Sequence, residues 1–317
     1  MNLDRLAPNL QLSPDGIWIS GNVSGVSYPE AGNEFCYGVE EDSFWFRHRN
    51  ACIAAAIQRL PPGGLFLDIG GGNGYVAQAL QELGIDVALV EPGPVGARNA
   101  IKRGVRQVVC AALEDVDFQP GTVPAAGLFD VVEHIPDDIG FLRGIHRLML
   151  PGGRLYLTVP AYNWLWSPED DLAGHCRRYT LGGICGVVES AGFEVEFPTC
   201  FFTFLPLPIL LVRVLPYRLG LVHREPHSKS DHKKLTGPGG RLLQQVLRWE
   251  AGRIRDGRPI RFGGSCLVVG PQAGLNHAGA YPNRLNRIGN GYRKPWLRPN
   301  AFKRQDTGWL RFPRNGH

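Results

Sequence analysis

The segment that most constrains this chain is a glycine-rich stretch that joins a short apolar run to a helical one. Residues 65–69 are apolar apart from Asp68, residues 75–83 have helical spacing, and between them lie Gly70, Gly71, Gly72 and Gly74. Glycines at such a junction let backbone N–H groups approach a ligand closely, at the positive end of the helix dipole. The segment therefore predicts a strand, a ligand-binding turn and a helix.

The same alternation of strand and helix continues along the chain. Strands are predicted at 65–69, 87–90, 105–110, 128–132, 154–159, 193–197 and 265–269, with helices at 44–60, 75–83, 95–103, 139–148 and 181–190. This order predicts an α/β fold of Rossmann-like, doubly wound type, with a mostly parallel sheet and helices on both faces. Ligands of such folds bind at the carboxyl ends of the strands.

Three regions flank or interrupt this pattern. Residues 1–43 are rich in Gly, Pro, Asn and Ser, with one weak strand signal at 16–20, and predict a loop-rich N-terminal arm. Residues 44–270 predict one domain, which the apolar and then amphipathic segment 200–255 interrupts as an insertion. Residues 271–317 show no periodicity and predict a disordered tail. A length of 317 residues with 44% hydrophobic residues excludes global disorder and a small disulfide scaffold.

The positive charge is concentrated in the tail. Residues 276–317 hold nine Arg and Lys against the single acid Asp306, whereas the whole chain is only +5, so the remainder is mildly acidic. A non-catalytic nucleic-acid-binding protein would have to act through this tail, whose aromatic residues could also stack on bases or lie on an anionic membrane. A disordered extension without a dedicated role is favoured, and nucleic acid is not expected as a partner.

Cysteine usage and hydropathy bear on location. The seven cysteines include no C-x-x-C pair, and no basic and then apolar leader opens the chain, which favours a reduced, cytoplasmic setting. The apolar stretch 200–222 is broken by three prolines and carries Arg213, so no transmembrane helix is predicted. No His or Cys has local metal-ligand spacing, and no metal site is predicted.

Two nucleoside cofactors compete for the glycine loop. Glu91 ends the next predicted strand, where a carboxylate can bind both hydroxyls of a ribose. Residues 72–77 also fit the dinucleotide pattern G-x-G-x-x-A, which keeps an NAD(P)-dependent oxidoreductase as an alternative. Asp68 favours S-adenosylmethionine, because a carboxylate there would repel a pyrophosphate and attract the ammonium of a methionine group.

Several ordered motifs carry a family resemblance. Residues 68–74 match D-x-G-x-G-x-G, residues 130–135 read D-V-V-E-H-I, residues 150–155 read L-P-G-G-R-L, and the stretches 43–50 and 158–179 are more specific. Over residues 35–270 the chain resembles the class I S-adenosylmethionine-dependent methyltransferases, in their type-11/type-23-like small-molecule group. The resemblance implies a seven-stranded sheet with an antiparallel last strand, and S-adenosylmethionine across the carboxyl ends of the first strands.

The resemblance also implies the cofactor-binding residues. Many relatives have an Asp after the third strand for the adenine amino group, but Ala112 stands at that position here. Adenine recognition would then rest on backbone groups of Ala112 and Leu113. The implied cofactor set is Asp68, Gly70, Gly72, Gly74, Glu91, Ala112, Leu113 and Asp130.

Candidate catalytic and substrate residues follow the fourth and fifth strands. His134 is the candidate general base or positioning residue, with His175 and Tyr179 as further catalytic candidates. Arg177 and Arg178 could hold an anionic acceptor group, or could pair with acids at 169–171 in their own loop. Arg47 and His48 are further substrate candidates, at the other rim of the cleft. With Arg49 beside them, they predict either a lid over the cofactor or a solvated helix face.

The insertion bears on the acceptor. Residues 200–212 combine phenylalanines and aliphatics with prolines, and Arg213, Arg218 and Arg224 follow them. A small satellite core against the helix at 241–251 is one interpretation. The other hypothesis is an apolar substrate lid or a segment that dips into the inner face of a membrane, so that the acceptor is hydrophobic or lipid-linked.

Overall fold

A nine-stranded sheet organises the protein. The computed structural model describes residues 3–21, 30–221 and 237–273. The sheet order is β1-β2-β5-β4-β3-β6-β7-β9-β8. Its strands are β1 (Leu10–Leu12), β2 (Ile17–Ser20), β3 (Phe66–Ile69), β4 (Val87–Val90), β5 (Gln107–Cys110), β6 (Val123–Phe129), β7 (Met149–Pro160), β8 (Phe197–Phe201) and β9 (Ser265–Pro271).

Helices cover both faces of this sheet, and each face buries its own apolar cluster. The helices in chain order are α1 (Leu3–Leu6), α2 (Glu30–Val39), α3 (Phe44–Arg59), α4 (Tyr75–Glu82), α5 (Pro94–Lys102), α6 (Asp138–Leu148), α7 (Pro168–Ala173), α8 (Leu181–Ser190), α9 (Pro206–Ile209), α10 (Leu215–Arg218) and α11 (Gly237–Arg255). A π-helical turn, Leu210–Val214, joins α9 to α10.

Seven strands of the sheet confirm the predicted Rossmann-like core. Strands β3 to β7 run parallel to one another, and β9 is antiparallel to both β7 and β8. Two predicted boundaries were wrong. The fourth core strand lies at Val123–Phe129 instead of 128–132, because the chain turns at Asp130, and the sixth lies at Phe197–Phe201 instead of 193–197.

The prediction of a loop-rich N-terminal arm was wrong for its described part. Strand β2 pairs in parallel with β5, and β1 pairs with β2, which extends the sheet from the predicted seven strands to nine. Leu3, Leu6 and Leu10 are buried in the core. The strand signal at 16–20 is confirmed by β2, whereas periodicity alone did not reveal α1, β1 or α2. Helix α2 then lies beside α5 and contributes to the cleft described below.

The predicted insertion lies between β8 and β9, as expected. Its first part forms the helical run from Pro206 to Arg218, and its last part forms α11, which packs against α3. Residues 222–236 and the tail beyond Ala273 lie outside the described residues, so the predictions for most of the tail fall there. Among the described helices, none combines the length and the apolar character that a bilayer span requires.

Candidate active site

The glycine loop follows β3 at the carboxyl edge of the sheet, as predicted. Gly70, Gly72 and Gly74 all have positive φ values, of 69°, 54° and 77°. A Cβ at Gly71 would lie 2.6 Å from Leu89 and 2.8 Å from the Asp68 carboxylate, so this position admits no side chain. The loop therefore keeps its backbone open to a cavity of about 390 Å³ above it.

Asp68 lines this cavity from the end of β3. The residue is only 1% exposed, and its Oδ2 has no hydrogen-bond partner among the described residues. Burial raises the pKa of this carboxyl to about 7, with Arg49 opposing the rise and Glu91 adding to it. A buried carboxyl without a partner is costly, and a cationic ligand group would remove that cost.

Glu91 lies beside the loop, after β4. Its Oε2 accepts from Gly72 N at 2.9 Å and its Oε1 accepts from Gly93 N at 2.8 Å. Burial raises the pKa of Glu91, and these two backbone hydrogen bonds lower it. Each carboxylate oxygen retains capacity for a further donor, so the group can accept hydrogen bonds from two ribose hydroxyls.

The remaining cavity wall combines predicted and unpredicted residues. Ala112, Leu113 and Asp130 line the cavity, in agreement with their assignment to the cofactor site. Asn33 of α2 also lines it, and its buried Nδ2 has no partner among the described residues. Because Asn33 belongs to the arm expected to be loop, no sequence signal connected it with the cleft.

Arg49, which the sequence grouped with Arg47 and His48 as a lid or a solvated helix face, is a buried residue of the site. Its Nε lies 2.5 Å from Asp130 Oδ2, and its Nη2 donates to the Phe129 carbonyl at 2.7 Å. Asp130 has a φ of 59°, and Thr158 Oγ1 donates to its other carboxylate oxygen at 3.0 Å. Arg49 therefore fixes a carboxylate in a sparsely populated backbone conformation, at the edge of the cleft.

His134 and His175 meet at the far end of this cavity. Their rings pack edge to face with centroids 4.8 Å apart, and both line the cavity. Burial, and to a smaller extent the nearby His175, lowers the pKa of His134 to about 4. His134 is thus neutral at pH 7, but a base of such low pKa accepts protons poorly, which favours its positioning role over general-base catalysis.

Tyr179 and Arg177, which were predicted as site residues, line neither cavity. The Tyr179 hydroxyl donates to Asp138 Oδ2 at 2.8 Å, and Arg177 donates to the same oxygen at 2.8 Å and to the Pro136 carbonyl at 2.6 Å. Burial and the Asp138 carboxylate raise the pKa of Tyr179. The prediction of a catalytic role for Tyr179 and of a substrate-binding role for Arg177 was wrong, because both side chains bind Asp138 and fix the loop instead.

The rim residues also differ from expectation. Arg47 is exposed on α3, as the solvated-face interpretation has it. His48 is buried and its Nε2 lies 2.6 Å from Glu250 Oε2, so its assignment to the substrate site is corrected. Arg178 does line a cavity, but its Nε donates to Asp170 at 2.7 Å, and its charge is neutralised within its own loop.

A second cavity, of about 490 Å³, adjoins the first. The two share lining residues, among them Trp45, Asp130 and His175. Most of its lining surface is apolar and comes from α3 and from the insertion, with the residues Phe44, Trp45, Phe202, Leu205, Pro208, Ile209 and Val212. Titratable residues also line it, namely Asp130, Glu133, Glu169, Asp170, His175, Arg178 and Arg213. The structure thus places a second, mainly apolar cavity, called the apolar chamber below, next to the cleft above the glycine loop.

Comparison with known proteins agrees with this geometry. Residues 45–196 match the family described as "Methyltransferase domain". Over this range the predicted resemblance to the class I S-adenosylmethionine-dependent methyltransferases is confirmed.

The relatives are distant and cover the chain only in part. A ubiquinone biosynthesis O-methyltransferase of Xanthomonas campestris is 30% identical over 104 residues, which are 31% of this chain and 44% of that protein. The chain therefore spans less than half the length of this relative. A protein of Mycolicibacterium smegmatis, named as a probable S-adenosylmethionine-dependent methyltransferase, is 26% identical over 55% of this chain and 69% of its own. A solved phosphoethanolamine N-methyltransferase 2 of Haemonchus contortus is 20% identical, with a TM-score of 0.49, over 80% of this chain and 61% of that one.

The cleft fits the cofactor of this family. The unpartnered, buried Asp68 carboxylate can bind the ammonium of the methionine group, and Glu91 can bind the ribose. A pyrophosphate would instead bring negative charge against Asp68. S-adenosylmethionine is therefore the cofactor, and the dinucleotide alternative is not favoured.

Cofactor binding should depend on pH through Asp68. The carboxyl must lose its proton to pair with an ammonium, and its pKa in the cofactor-free protein is about 7. We expect the affinity for S-adenosylhomocysteine to rise about tenfold per pH unit from pH 5 to 7 and then to level off. Calorimetry across this range measures the slope, and an affinity independent of pH would contradict the assignment.

Glu91→Ala should weaken cofactor binding by about 1.5–3 kcal/mol, because it removes charge-assisted hydrogen bonds to the ribose. It also leaves the Gly72 and Gly93 N–H groups without their acceptor. Glu82→Ala, on the far end of α4, is the control and should bind like the parent. If Glu91→Ala binds S-adenosylhomocysteine as tightly as the parent does, the carboxylate has another role.

Proposed function

We propose that this protein transfers a methyl group from S-adenosylmethionine to a small, hydrophobic or lipid-linked acceptor. The observation that carries the proposal is the junction of the two cavities. The cleft holds the cofactor residues, aromatic and aliphatic side chains form most of the adjoining chamber, and Asp130 and His175 line both. An apolar acceptor in the chamber would thus face the cofactor at this junction.

Positioning supplies most of the rate in such a reaction. When bound, S-adenosylmethionine provides a sulfonium methyl group that an acceptor atom attacks in line. Asp68 holds the methionine ammonium and Glu91 holds the ribose of the cofactor, and the aromatic and aliphatic walls exclude water from the acceptor. His134, neutral at pH 7, orients the acceptor at the junction.

Incubation of the full chain with S-adenosylmethionine labelled in its methyl group and a fractionated lysate tests this function. We expect label in the lipid fraction. Label confined to water-soluble products would contradict the hydrophobic acceptor, and label in no fraction would contradict methyl transfer. Deletion of residues 276–317 should leave the transfer intact, whereas a nucleic-acid-binding protein that acts through the tail would lose its activity.

The chamber wall makes a matched pair of variants available. Leu205 lines the chamber and is half-buried, whereas Leu242 on α11 is 64% exposed and does not line it. We expect Leu205→Asp to reduce label transfer to the lipid fraction at least tenfold, because a carboxylate in the chamber wall opposes an apolar ligand. Leu242→Asp is the control. Equal transfer by both variants would contradict the chamber as the acceptor site.

We further propose that the outer face of the insertion contacts the inner face of a membrane and delivers the acceptor from it. Leu207, Leu211, Leu215 and Leu219 lie four residues apart along the helical run and are all exposed. Val212 is 72% exposed and also lines the chamber, so the chamber opens on this apolar face. Arg218 is exposed at the end of the same run and is suited to an anionic head group, whereas Arg213 lies 3.6 Å from Glu169.

Co-sedimentation with phosphatidylglycerol vesicles tests this contact. The double variant Leu211→Asp/Leu215→Asp should lose binding that the parent shows. Leu242→Asp is the control. Leu242 is 64% exposed, more than Leu211 or Leu215, but it lies on α11. Absence of binding by the parent would contradict the proposal.

Seven free cysteines agree with a cytoplasmic location for such a protein.

A further inference from the structure

Three side chains from two distant loops meet at the junction of the cavities. Glu133 and His134 lie in a single helical turn, Val132–His134, that follows β6, and His175 follows α7. One ligand atom of each residue lies within 4.8 Å of the other two. His134 lines the cofactor cleft, Glu133 lines the apolar chamber, and His175 lines both.

Glu133 has no partner that explains its burial. The side chain is fully buried, and neither carboxylate oxygen has a hydrogen-bond partner among the described residues. Burial raises the pKa of this carboxyl, and the nearby Asp130 raises it further. A buried carboxyl without a hydrogen-bond partner destabilises the folded protein, and a bound cation would offset this free-energy cost.

The two histidines are held by hydrogen bonds from outside the cluster. His175 Nδ1 lies 2.8 Å from Asp170 Oδ1, and Asp170 also accepts from Arg178 Nε at 2.7 Å and from Ser167 N at 2.8 Å. The His134 ring makes a hydrogen bond with the backbone of Gly174. Histidines that bind metals are oriented in this way, by a carboxylate or a carbonyl on their other ring nitrogen.

The backbone also fixes the two loops against each other. Cys176 N donates to the Glu133 carbonyl at 2.7 Å, which places His175 beside the turn that carries Glu133 and His134. The arrangement thus needs little rearrangement to bring three ligand atoms around one ion. His175 is far from His134 along the chain, so no local spacing in the sequence predicted the cluster.

We propose that Glu133, His134 and His175 bind a divalent transition-metal ion at the junction of the two cavities. Two imidazoles and one carboxylate favour ions such as Zn²⁺, Co²⁺ or Mn²⁺ over Mg²⁺ or Ca²⁺. Three protein ligands leave coordination positions open to the cavities, where an acceptor oxygen can bind. Binding of the ion does not depend on the proposed function, whereas its use in orienting the acceptor does.

Metal titration of the full chain, without cofactor, tests the site. We expect the parent to bind one Zn²⁺ by calorimetry and to give the visible absorption of Co²⁺ bound by nitrogen and oxygen ligands. Glu133→Gln and His175→Ala should each weaken the affinity at least a hundredfold, and Asp170→Asn should weaken it about 10- to 100-fold through His175. His146→Gln is the control, because His146 lies on α6 and packs against Phe193.

Two further readouts separate the outcomes. His223, His227 and His232 also occur in the chain, and an ion bound by them would survive Glu133→Gln and His175→Ala, which would overturn the proposal. Absence of Zn²⁺ binding by a folded parent would overturn it as well. Binding of S-adenosylhomocysteine is measured on the same samples, so that failure of the cofactor site and failure of the metal site are distinguished. Circular dichroism confirms that each variant is folded.

Discussion

Asp68→Asn should stabilise the cofactor-free protein at pH 8 while it disables cofactor binding. The ordinary pKa of Asp68 is 3.8 and its pKa in the folded chain is about 7, so the folded state retains a proton that the unfolded state has lost between these values. Stability therefore falls as pH rises from about 4 to 7, by about 4 kcal/mol in all. The neutral amide avoids this loss.

Asp68→Asn should recover only part of the roughly 4 kcal/mol of stability that the ionised carboxylate costs. The new amide nitrogen would meet a site in which Oδ2 has no partner, which costs about 1–3 kcal/mol. We expect the free energy of unfolding at pH 8 to increase by about 1–3 kcal/mol, with no gain at pH 4. Denaturant titrations of the parent and the variant at both pH values measure the difference.

Cofactor affinity should change in the opposite direction. Loss of the charge that faces the ammonium should weaken binding by about 3 kcal/mol, on the order of a hundredfold, and should remove its pH dependence. If Asp68→Asn is less stable than the parent at pH 8, the stability prediction is contradicted. If it binds S-adenosylhomocysteine as tightly as the parent, the binding prediction is contradicted. Such opposite effects are expected where a binding site stores an unfavourable charge.

Glu250→Ala should have the largest effect on stability. The carboxylate is fully buried on α11 and accepts from Phe202 N at 2.9 Å, from Thr203 N at 2.7 Å, from Thr203 Oγ1 at 2.5 Å and from His48 Nε2 at 2.6 Å. Burial would raise the pKa of Glu250, but these hydrogen bonds hold it below the ordinary value. The residue thus joins α3, α11 and the start of the insertion.

Removal of this acceptor deprives two backbone N–H groups, the Thr203 hydroxyl and the His48 imidazole of their carboxylate partner. We expect a loss of about 3–5 kcal/mol in the free energy of unfolding, a fall in Tm on the order of 10 °C. Gln245→Ala, an exposed position on the same helix, should change stability by less than about 0.5 kcal/mol. A Tm for Glu250→Ala within a degree of the parent would show that the contacts are dispensable.

The core of the fold was predictable because it repeats a local pattern. Strands that read as short apolar runs, and a loop whose glycines take positive φ, carry their signal within a few residues. Asp68 and Glu91 end successive strands, so their meeting at one edge of the sheet followed from topology alone. Both line the cleft as expected.

The contributions missed by sequence reasoning come from contacts between distant segments. Asn33 and Arg49 reach the cleft from helices that precede the first core strand, and only the packed fold shows their partners. Tyr179 and Arg177 looked available in the sequence, but Asp138 from another loop binds both. The sequence motifs name these two side chains, but they do not show the distant carboxylate that holds them away from the cavities.

Calorimetry of the full chain with S-adenosylmethionine, S-adenosylhomocysteine and NAD tests which cofactor the cleft binds. The buried, unpartnered Asp68 carboxylate and the ribose acceptor Glu91 predict that both sulfur compounds bind, one per chain, and that NAD does not. Binding of NAD without binding of either sulfur compound would contradict the account of the cleft.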